Sequence, residues 1–211
     1  DLEADAALVP TINLDHLSTA IKTEPDNIFI TGVTGFLGAF LLYELLEQTQ
    51  ANIYCLVQAT DPEIGKQKIQ SNLEKYLLWD KKNNSRIIPI TGDLSEPLLG
   101  VSEEQFLALA RKIDVIYHNA AYINLIYPYT ALRATNVFGT QELLKLATQI
   151  KVKPFHFIST LDVFQTSRAF GTNLITEQDE LNPSEAIRFD GYTKSKWVSE
   201  KMVTTAQLRG L

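Results

Sequence analysis

Short runs of apolar and β-branched residues alternate along the chain with longer stretches in which apolar positions recur every three to four residues. The first pattern is typical of buried strands and the second of amphipathic helices. The expected strands are NIFIT (27–31), NIYCLV (52–57), RIIPI (86–90), DVIYHNA (114–120) and PFHFIS (154–159). The expected helices cover residues 36–48, 62–78, 102–111, 129–150 and 189–208.

This alternation predicts the fold class. Strands that are apolar on both faces need cover on both faces, so the order strand–helix–strand indicates a parallel sheet between two helical layers. We expect residues 27–211 to form an α/β domain with a doubly wound parallel sheet of Rossmann type. Residues 1–26 are polar and contain Pro10 and Pro25. They are expected to be a lead-in or linker with one short helix near Leu14–Lys22.

Composition excludes several classes of protein. With 211 residues the chain can bury its own core, and its net charge of −6 argues against nucleic acid as a partner. A single cysteine, Cys55, rules out an intramolecular disulfide and points to a reducing compartment, the cytoplasm. No apolar stretch reaches the length of about 18 residues needed to span a membrane. His16, His118 and His156 share no metal-ligand spacing, so no metal site is expected and His118 is expected to pack at a strand end.

The first residue is Asp1 and the only methionine is Met202. Since translation starts at methionine, we expect this chain to be part of a longer, multidomain protein.

A glycine-rich segment, TGVTGFLG, follows the first expected strand and opens the first expected helix. Its first glycine would allow a tight turn, its second a close approach to a pyrophosphate, and its third close packing of helix on strand. The helix N-terminus would offer free amide groups and partial positive charge to the anion. The residues of this segment expected to bind a dinucleotide are Gly32, Thr34, Gly35, Phe36, Leu37 and Gly38.

The end of the second strand distinguishes between cofactors. A carboxylate there would bind the ribose of NAD, and an arginine would bind the 2′-phosphate of NADP. This chain has Gln58, which can hydrogen-bond to either group but neutralises no phosphate. The nearest acid is Asp61 and the nearest bases are Lys66 and Lys68, so the residues alone leave the choice open.

Further cofactor contacts are expected at the ends of the next strands. Asp93 and Leu94 follow the third strand, where a carboxylate could accept a hydrogen bond from the exocyclic amine of adenine. An aspartate in such a loop is equally common as a turn or N-cap residue. After the fourth strand, Asn119, Ala120 and Ala121 allow the backbone to approach the cofactor closely.

Two features carry reaction chemistry. Ser159 and Thr160 end the fifth strand, and Tyr192-x-x-x-Lys196 follows on a helical pattern that sets both side chains on one face. A free tyrosine has a pKa of about 10, and a nearby ammonium is expected to lower it. Lys196 could also hydrogen-bond to the nicotinamide ribose, and Thr160 could donate to the same substrate oxygen as Tyr192.

Asn136 lies inside the fourth expected helix, where asparagine is unfavourable without a reason. Its side chain could bridge this helix to the active-site strand. Alternatively, it could cap a helix N-terminus or form a hydrogen bond between two helices. The sequence leaves both interpretations open.

The motifs TGxTGFLG, HNAA, NVxGT, ST and YxxSKWxxE occur here in the order found in the extended short-chain dehydrogenase/reductase superfamily, which the chain resembles. Within that superfamily it is similar to the thioester reductase (R) domains of nonribosomal peptide synthetases and carboxylic acid reductases. The segments that carry this likeness are DLEADAALVPTI, IYCLVQA, IYHNAAYINLIYPYTALRATNVFGTQELL and GYTKSKWVSE.

The resemblance implies an activity. An acyl or peptidyl thioester, carried on the phosphopantetheine arm of a carrier-protein domain, would be reduced with NADPH and released as an aldehyde, or as an alcohol in some relatives. Thr160 and Tyr192 would hold the developing oxyanion, with Tyr192 as the proton source. Lys196 would orient the cofactor ribose.

Two departures from the family pattern matter. The family usually has arginine at the position of Gln58, so NADH is retained as a second candidate cofactor. The family also continues into a C-terminal substrate subdomain, which is expected to lie largely beyond Leu211. The alternative functions are another extended reductase-type enzyme, such as a fatty acyl-CoA reductase or a nucleotide-sugar epimerase or dehydratase, and a non-catalytic dinucleotide-binding module.

Overall fold

The computed structural model describes residues 1–10, 12, 14, 17, 22–164, 174–176, 178–179, 181 and 189–211. These residues form a five-stranded sheet in the order β3-β2-β1-β4-β5, with every neighbouring pair parallel. The strands are β1 (Asn27–Thr31), β2 (Asn52–Val57), β3 (Ile87–Thr91), β4 (Val115–His118) and β5 (Phe155–Phe157).

Seven α-helices lie within the described residues. They are α1 (Leu2–Ala6), α2 (Phe36–Gln48), α3 (Pro62–Lys75), α4 (Glu103–Lys112), α5 (Tyr129–Arg133), α6 (Gly139–Thr148) and α7 (Gly191–Leu208). A π-helical turn, Ala134–Phe138, joins α5 to α6, so the predicted helix over 129–150 is one continuous run with a wide turn inside it. No helix among the described residues combines the length and hydropathy needed to cross a bilayer.

Both faces of the sheet are covered by helices. Ile30 of β1 is fully buried in a cluster with Leu42 of α2 and Ile69 of α3. Its neighbour Phe29 points to the opposite face and joins a second cluster with Leu143 of α6. Because successive side chains of a strand point to opposite faces of the sheet, each strand contributes to the hydrophobic core on both faces. This is why the strands are apolar at successive positions. The predicted doubly wound Rossmann-type fold is confirmed.

A third cluster fixes α7 against α5 and α6 and includes the start of the chain. Trp197 and Met202 of α7 are buried in it together with Ala6 and Ile12. Asp5 accepts a hydrogen bond from the Tyr129 hydroxyl at 2.7 Å. The first residues are thus part of the folded core rather than a free linker.

Helix α1 itself was not predicted. A five-residue helix has little intrinsic stability and depends on tertiary contacts that a local pattern does not contain. Most of the helix expected near Leu14–Lys22 lies outside the described residues.

The strand order changes direction between β1 and β4, because the chain adds β2 and β3 on one side of β1 and β4 and β5 on the other. In doubly wound sheets, ligands bind outside the carboxyl ends of the strands at this switch point.

Candidate active site

A cleft of about 1480 Å³ opens at the carboxyl ends of the strands. It brings together nearly all of the predicted site residues. Those that line it are Gly32, Thr34, Gly35, Phe36, Leu37, Gly38, Gln58, Asp93, Leu94, Asn119, Ala120, Ala121, Tyr192 and Lys196. Two predicted residues, Thr160 and Asn136, do not line it.

The glycine loop has the geometry that its sequence predicts. Gly32 has a φ of +79°, a backbone conformation that favours glycine. A Cβ atom at Gly38 would lie 1.9 Å from the carbonyl oxygen of Gly32, so only glycine lets α2 pack this closely onto the turn.

The N-terminus of α2 fits the diphosphate of a dinucleotide. Gly35 is the N-cap residue and provides no side-chain hydrogen bond to the helix, which leaves the first amide groups for an anion. From α3, the Asn72 side-chain amide donates to the carbonyl oxygens of Val33 and Gly35 at 2.9 and 3.0 Å. Asn72, which also lines the cleft, thereby ties the loop to α3, a role that the sequence did not reveal.

Gln58 and Asp93 meet at one end of the cleft. The Gln58 side-chain amide donates to the Asp93 carboxylate at 2.6 Å, and the backbone and hydroxyl of Ser95 donate to the other oxygen of that carboxylate. Burial opposes the ionisation of Asp93, but these hydrogen bonds outweigh it and hold the pKa of the carboxyl below its ordinary value. Asp93 is therefore an ionised acceptor at neutral pH.

Of the two bases near Gln58, one faces the cleft. Lys68 lines the cleft, and its ammonium donates to the carbonyl oxygen of Gln58 at 2.7 Å. The Lys66 ammonium donates instead to the carbonyl oxygens of Asn84 and Ile87, away from the cleft. Lys68 thus adds the positive charge that Gln58 lacks.

His118 is buried below the cleft floor, as expected of a packed strand-end residue. Its Nδ1 lies 2.9 Å from the Thr31 hydroxyl, and its Nε2 lies 3.0 Å from the Thr140 hydroxyl. Thr140 donates its proton to the carbonyl oxygen of Asn136 and so must accept from Nε2, which assigns the ring proton to Nε2. Burial, and then the nearby positive charge of Lys196, lowers the pKa of His118 well below 6.5, so the ring is neutral.

Asn136 fulfils both of the roles left open by the sequence. Its carboxamide exchanges two hydrogen bonds with the backbone of Tyr122, just after β4, at 2.7 and 3.0 Å. It also donates to the Ser195 hydroxyl on α7 at 2.8 Å. These contacts come from the π-helical turn, a feature often found at functional sites, and they tie the cleft-lining segment after β4 to α7.

Tyr192 and Lys196 lie on the cleft-facing side of α7, one turn apart. Burial raises the pKa of Tyr192, and the negative charges of Asp162 and Asp190 raise it further. This corrects the expectation that Lys196 lowers the pKa of this tyrosine. Desolvation of the phenolate dominates here.

The ammonium of Lys196 donates to the carbonyl oxygen of Ile158 at 2.6 Å and lies 4.0 Å from the centre of the Phe157 ring. Burial lowers the pKa of Lys196 to about 8, although the charge of Glu200 opposes this shift. The lysine is thus anchored to the end of β5, within reach of the cleft.

The end of β5 presents Ser159 rather than Thr160 to the cleft. The Thr160 hydroxyl accepts a hydrogen bond from the backbone of Asp162 at 3.3 Å, at the start of the 3₁₀ turn Leu161–Phe164. The Ser159 hydroxyl donates to the Glu200 carboxylate on α7. Glu200 lies one turn beyond Lys196 in the motif YxxSKWxxE, which was the available signal for this contact.

Comparison with known proteins identifies the family and relatives of this chain. Residues 30–211 match the model of the NAD-binding family described as male sterility protein. The chain is 44% identical over 210 residues to a linear gramicidin synthase of Brevibacillus parabrevis, aligning over 100% of this chain but 4% of that protein.

Two solved structures share the fold over the whole chain. The terminal R domain of the myxalamid PKS-NRPS biosynthetic pathway superimposes with a TM-score of 0.92 and 45% identity, covering 100% of this chain and 52% of that one. The reductase (R) domain of a nonribosomal peptide synthetase from Mycobacterium tuberculosis superimposes with a TM-score of 0.76 and 28% identity, covering 99% and 50%.

The chain therefore spans about half the length of the solved R domains that it matches. The resemblance to R domains and the expectation of a nicotinamide cofactor are confirmed. The chain belongs to the male sterility protein family of NAD-binding domains and is similar, over its whole length, to the reductase domains of nonribosomal peptide synthetases.

Proposed function

We propose that this chain is the nucleotide-binding and proton-donating part of a reductase that releases a carrier-bound acyl or peptidyl thioester as an aldehyde. One observation carries the proposal. Tyr192 and Lys196 share a single cleft with the uncapped glycine-loop helix, so a nicotinamide dinucleotide anchored at Gly35 could reach both side chains.

When bound, a reduced nicotinamide would supply a hydride to the thioester carbon, and the carbonyl oxygen would gain the electron pair of the C=O bond and require a proton. Tyr192 is a neutral phenol at physiological pH because burial raises its pKa, and it can donate its proton to this oxygen. The resulting hemithioacetal then re-forms its carbonyl and expels the carrier thiol. A protonated tyrosine suits this direction, since reduction requires a general acid.

Lys196 is proposed to orient the nicotinamide ribose. Its anchor on the Ile158 carbonyl at 2.6 Å holds the ammonium at the edge of the cleft, where one remaining proton can be donated to a ribose hydroxyl. Thr160 keeps the proposed role of a second donor to the substrate oxygen, and this role requires its hydroxyl to turn from the Asp162 amide into the cleft. Ser159 already lines the cleft and is a second candidate donor, a role that requires its single hydroxyl proton to turn from the Glu200 carboxylate to the substrate oxygen.

For the cofactor we propose NADPH, with weaker discrimination against NADH than in relatives that have arginine at the position of Gln58. Lys68 supports this choice because its ammonium lies against the Gln58 backbone, on the side of the cleft that carries Asp93. A charged hydrogen bond to a 2′-phosphate contributes about 1.5–3 kcal/mol.

Titration of both nucleotides tests the cofactor proposal. Gln58→Arg should increase the preference for NADPH by roughly 10- to 100-fold, and Lys68→Ala should reduce it by a similar factor. Lys66→Ala is the matched control, since Lys66 lies two residues away on the same helix and faces away from the cleft. A strong NADPH preference that neither Gln58→Arg nor Lys68→Ala changes would remove both residues from 2′-phosphate recognition.

The proposed partner is a phosphopantetheinyl carrier domain within a larger multidomain chain. A reaction with a carrier-bound acyl thioester, following loss of reduced nicotinamide absorbance and trapping the aldehyde, tests this directly. Free acyl-CoA in parallel tests the fatty acyl-CoA reductase alternative, and a further alcohol product would appear in the same trapping assay. The cytoplasmic location expected from the single cysteine stays a prediction.

A further inference from the structure

The turn next to Asp93 and Leu94 has an unusual backbone. The end of the cleft lined by these two residues and Gln58 is called the adenosine end, because the proposed cofactor would place its adenosine there. In the segment Pro97–Gly100, Leu98 has φ 53° and ψ 28°, and Leu99 has φ 62° and ψ 22°. Two consecutive leucines in the left-handed region are disfavoured by contact of the Cβ atom with the backbone. Such a conformation persists only where surrounding contacts impose it, and such restraint is common near ligand sites.

This turn determines the position of Asp93. The backbone amide of Asp93 donates to the carbonyl oxygen of Leu99 at 2.8 Å. A Cβ atom at Gly92 would lie 2.3 Å from the same oxygen. The direction of the Leu99 carbonyl therefore fixes the backbone from Gly92 to Asp93, and the Asp93 and Leu94 side chains line the cleft from there.

A buried carboxylate holds the turn from α6. Glu142 is only 7% exposed, and its carboxylate accepts a hydrogen bond from the backbone amide of Leu98 at 3.0 Å. Its other oxygen accepts from the ammonium of Lys145 at 2.5 Å. Without Glu142, the Leu98 amide would lose its acceptor in a partly buried position, next to the two disfavoured backbone conformations.

The same helical run also touches the loop directly. A Cβ atom at Gly139 would lie 2.8 Å from the carbonyl oxygen of Leu94, so α6 packs closely against the loop. One turn earlier, Asn136 contacts α7 through Ser195. The segment from Asn136 to Glu142 therefore contacts both α7, which carries Tyr192 and Lys196, and the turn next to the adenosine end.

We propose that Glu142 is a positioning residue for nucleotide binding, which acts through the turn Pro97–Gly100 to hold Asp93 and Leu94 in the orientation that receives the adenosine. Glu142 does not line the cleft, so its effect is transmitted by the backbone of the turn. This inference rests on the proposed function in that it takes the cleft to be the dinucleotide site.

Calorimetric titration with 2′,5′-ADP, which probes only the adenosine end, tests the proposal. Glu142→Ala should weaken binding by about tenfold or more, because the released turn would leave its left-handed conformation and would have to return to it when the nucleotide binds. Glu142→Gln retains an acceptor oxygen for the Leu98 amide and should stay within about threefold of the original affinity. Gln141→Ala, at the neighbouring position of α6, is the matched control and should leave binding unchanged.

A second substitution separates positioning from general stability. Leu98→Gly removes the backbone penalty of the left-handed conformation, so adding it to Glu142→Ala should restore most of the lost affinity. If Glu142→Ala does not fold, the double variant is compared with Leu98→Gly alone, and equal affinities are expected.

The outcomes distinguish this inference from the proposed function. Failure of the unmodified chain to bind 2′,5′-ADP would overturn the proposed NADPH site, on which this inference rests. Normal binding by the unmodified chain together with equally tight binding by Glu142→Ala would overturn only the positioning role. A folded double variant that binds no better than Glu142→Ala, or about tenfold more weakly than Leu98→Gly alone, would also overturn it, because Glu142 would then act by another route.

Discussion

At the scale of single residues, burial shifts three titratable groups beside the cleft toward their neutral forms. It raises the pKa of Tyr192 and lowers the pKa values of His118 and Lys196. All three shifts have the same physical cause, since a charge loses hydration when it is buried. The result is a site that holds a transferable proton on Tyr192 and keeps its structural histidine uncharged.

The proposed role of Tyr192 as proton donor predicts how its replacement changes the reaction. In a chain extended to the length of the solved R domains, Tyr192→Phe should lower the rate of thioester reduction by about two to three orders of magnitude, because it removes a donor to the developing oxyanion. Nucleotide affinity should change little, whereas Lys196→Ala should impair both affinity and rate. Steady-state kinetics and nucleotide titration on each variant provide the measurement, and near-normal turnover by Tyr192→Phe would exclude the residue from the reaction.

The buried His118 predicts how stability depends on pH. The unfolded chain protonates this histidine near pH 6.5, at about its ordinary pKa, whereas the folded chain does so only at lower pH. The contribution of neutral His118 to the free energy of unfolding is therefore fully present above about pH 6.5 and is lost as the pH falls below it. The free energy of unfolding then decreases by up to about 1.4 kcal/mol per pH unit. Denaturant unfolding between about pH 6.5 and pH 5 measures this slope, above the range in which ordinary carboxylates titrate.

Variants of the two described histidines isolate this contribution. His118→Gln can keep both hydrogen bonds without titrating, so it should flatten the slope. His156→Gln is the comparison, since burial also lowers the pKa of His156, but this side chain is exposed and its loss should flatten the slope less. Burial also lowers the pKa values of Lys153 and Lys196 from 10.5 to about 7 and about 8. Their contributions to the free energy of unfolding therefore change mainly between these values and pH 10.5, above the range measured for His118. An unchanged slope in His118→Gln would show that His118 is not the titrating group.

At the scale of elements, the sequence pattern predicted the features that depend on residues close together in the chain. The five strands, the glycine loop and the Tyr192–Lys196 helix face all follow from periodicity and spacing, and the structure has them. Helix α3 was predicted too long, because Leu77 takes a φ of +60° just beyond its end at Lys75. The contact of Ser159 with Glu200 was not predicted, because the motif YxxSKWxxE contains Glu200 but shows neither the packing angle of α7 nor its distance from β5.

Two glycines at the start of α2 are expected to have different roles: Gly35 leaves room for a ligand, and Gly38 allows α2 to pack on the turn. A Cβ atom at Gly35 would lie 3.4 Å from the nearest backbone oxygen, an ordinary contact, whereas one at Gly38 would lie at 1.9 Å. Gly35→Ala should therefore keep its melting temperature close to the original while losing nucleotide affinity, because the methyl group blocks the approach of the diphosphate. Gly38→Ala should lower the melting temperature itself.

Thermal melts with and without NADPH check both expectations. If Gly35→Ala folds and binds as tightly as the original chain, the diphosphate does not lie against this loop. If Gly38→Ala is as stable as the original chain, the close packing of α2 on Gly32 does not contribute to the fold.

At the scale of the whole molecule, one side of the cleft is apolar and exposed. Ile123 is 66% exposed, Ile126 is 92% exposed and Leu161 is 90% exposed, all in segments next to the cleft residues Tyr122 and Ser159. Exposed apolar surface of this kind is typical of an interaction face or a ligand groove. Since the solved R domains are about twice as long as this chain, their additional residues are candidates to cover it.

This surface predicts different behaviour for nucleotide and for thioester. The residues that would hold the dinucleotide are already assembled, so the 211-residue chain alone should bind it. Reduction of a thioester also requires exclusion of water and orientation of the reacting carbon, which can account for several kcal/mol of the barrier. We therefore expect the chain alone to turn over carrier-bound thioester very poorly and to aggregate readily, compared with a chain extended to the length of the solved R domains. Nucleotide binding and thioester-dependent nucleotide oxidation, measured side by side on both proteins, test this. Equal turnover would mean that the substrate site is complete within these residues and that the exposed apolar side chains serve another purpose.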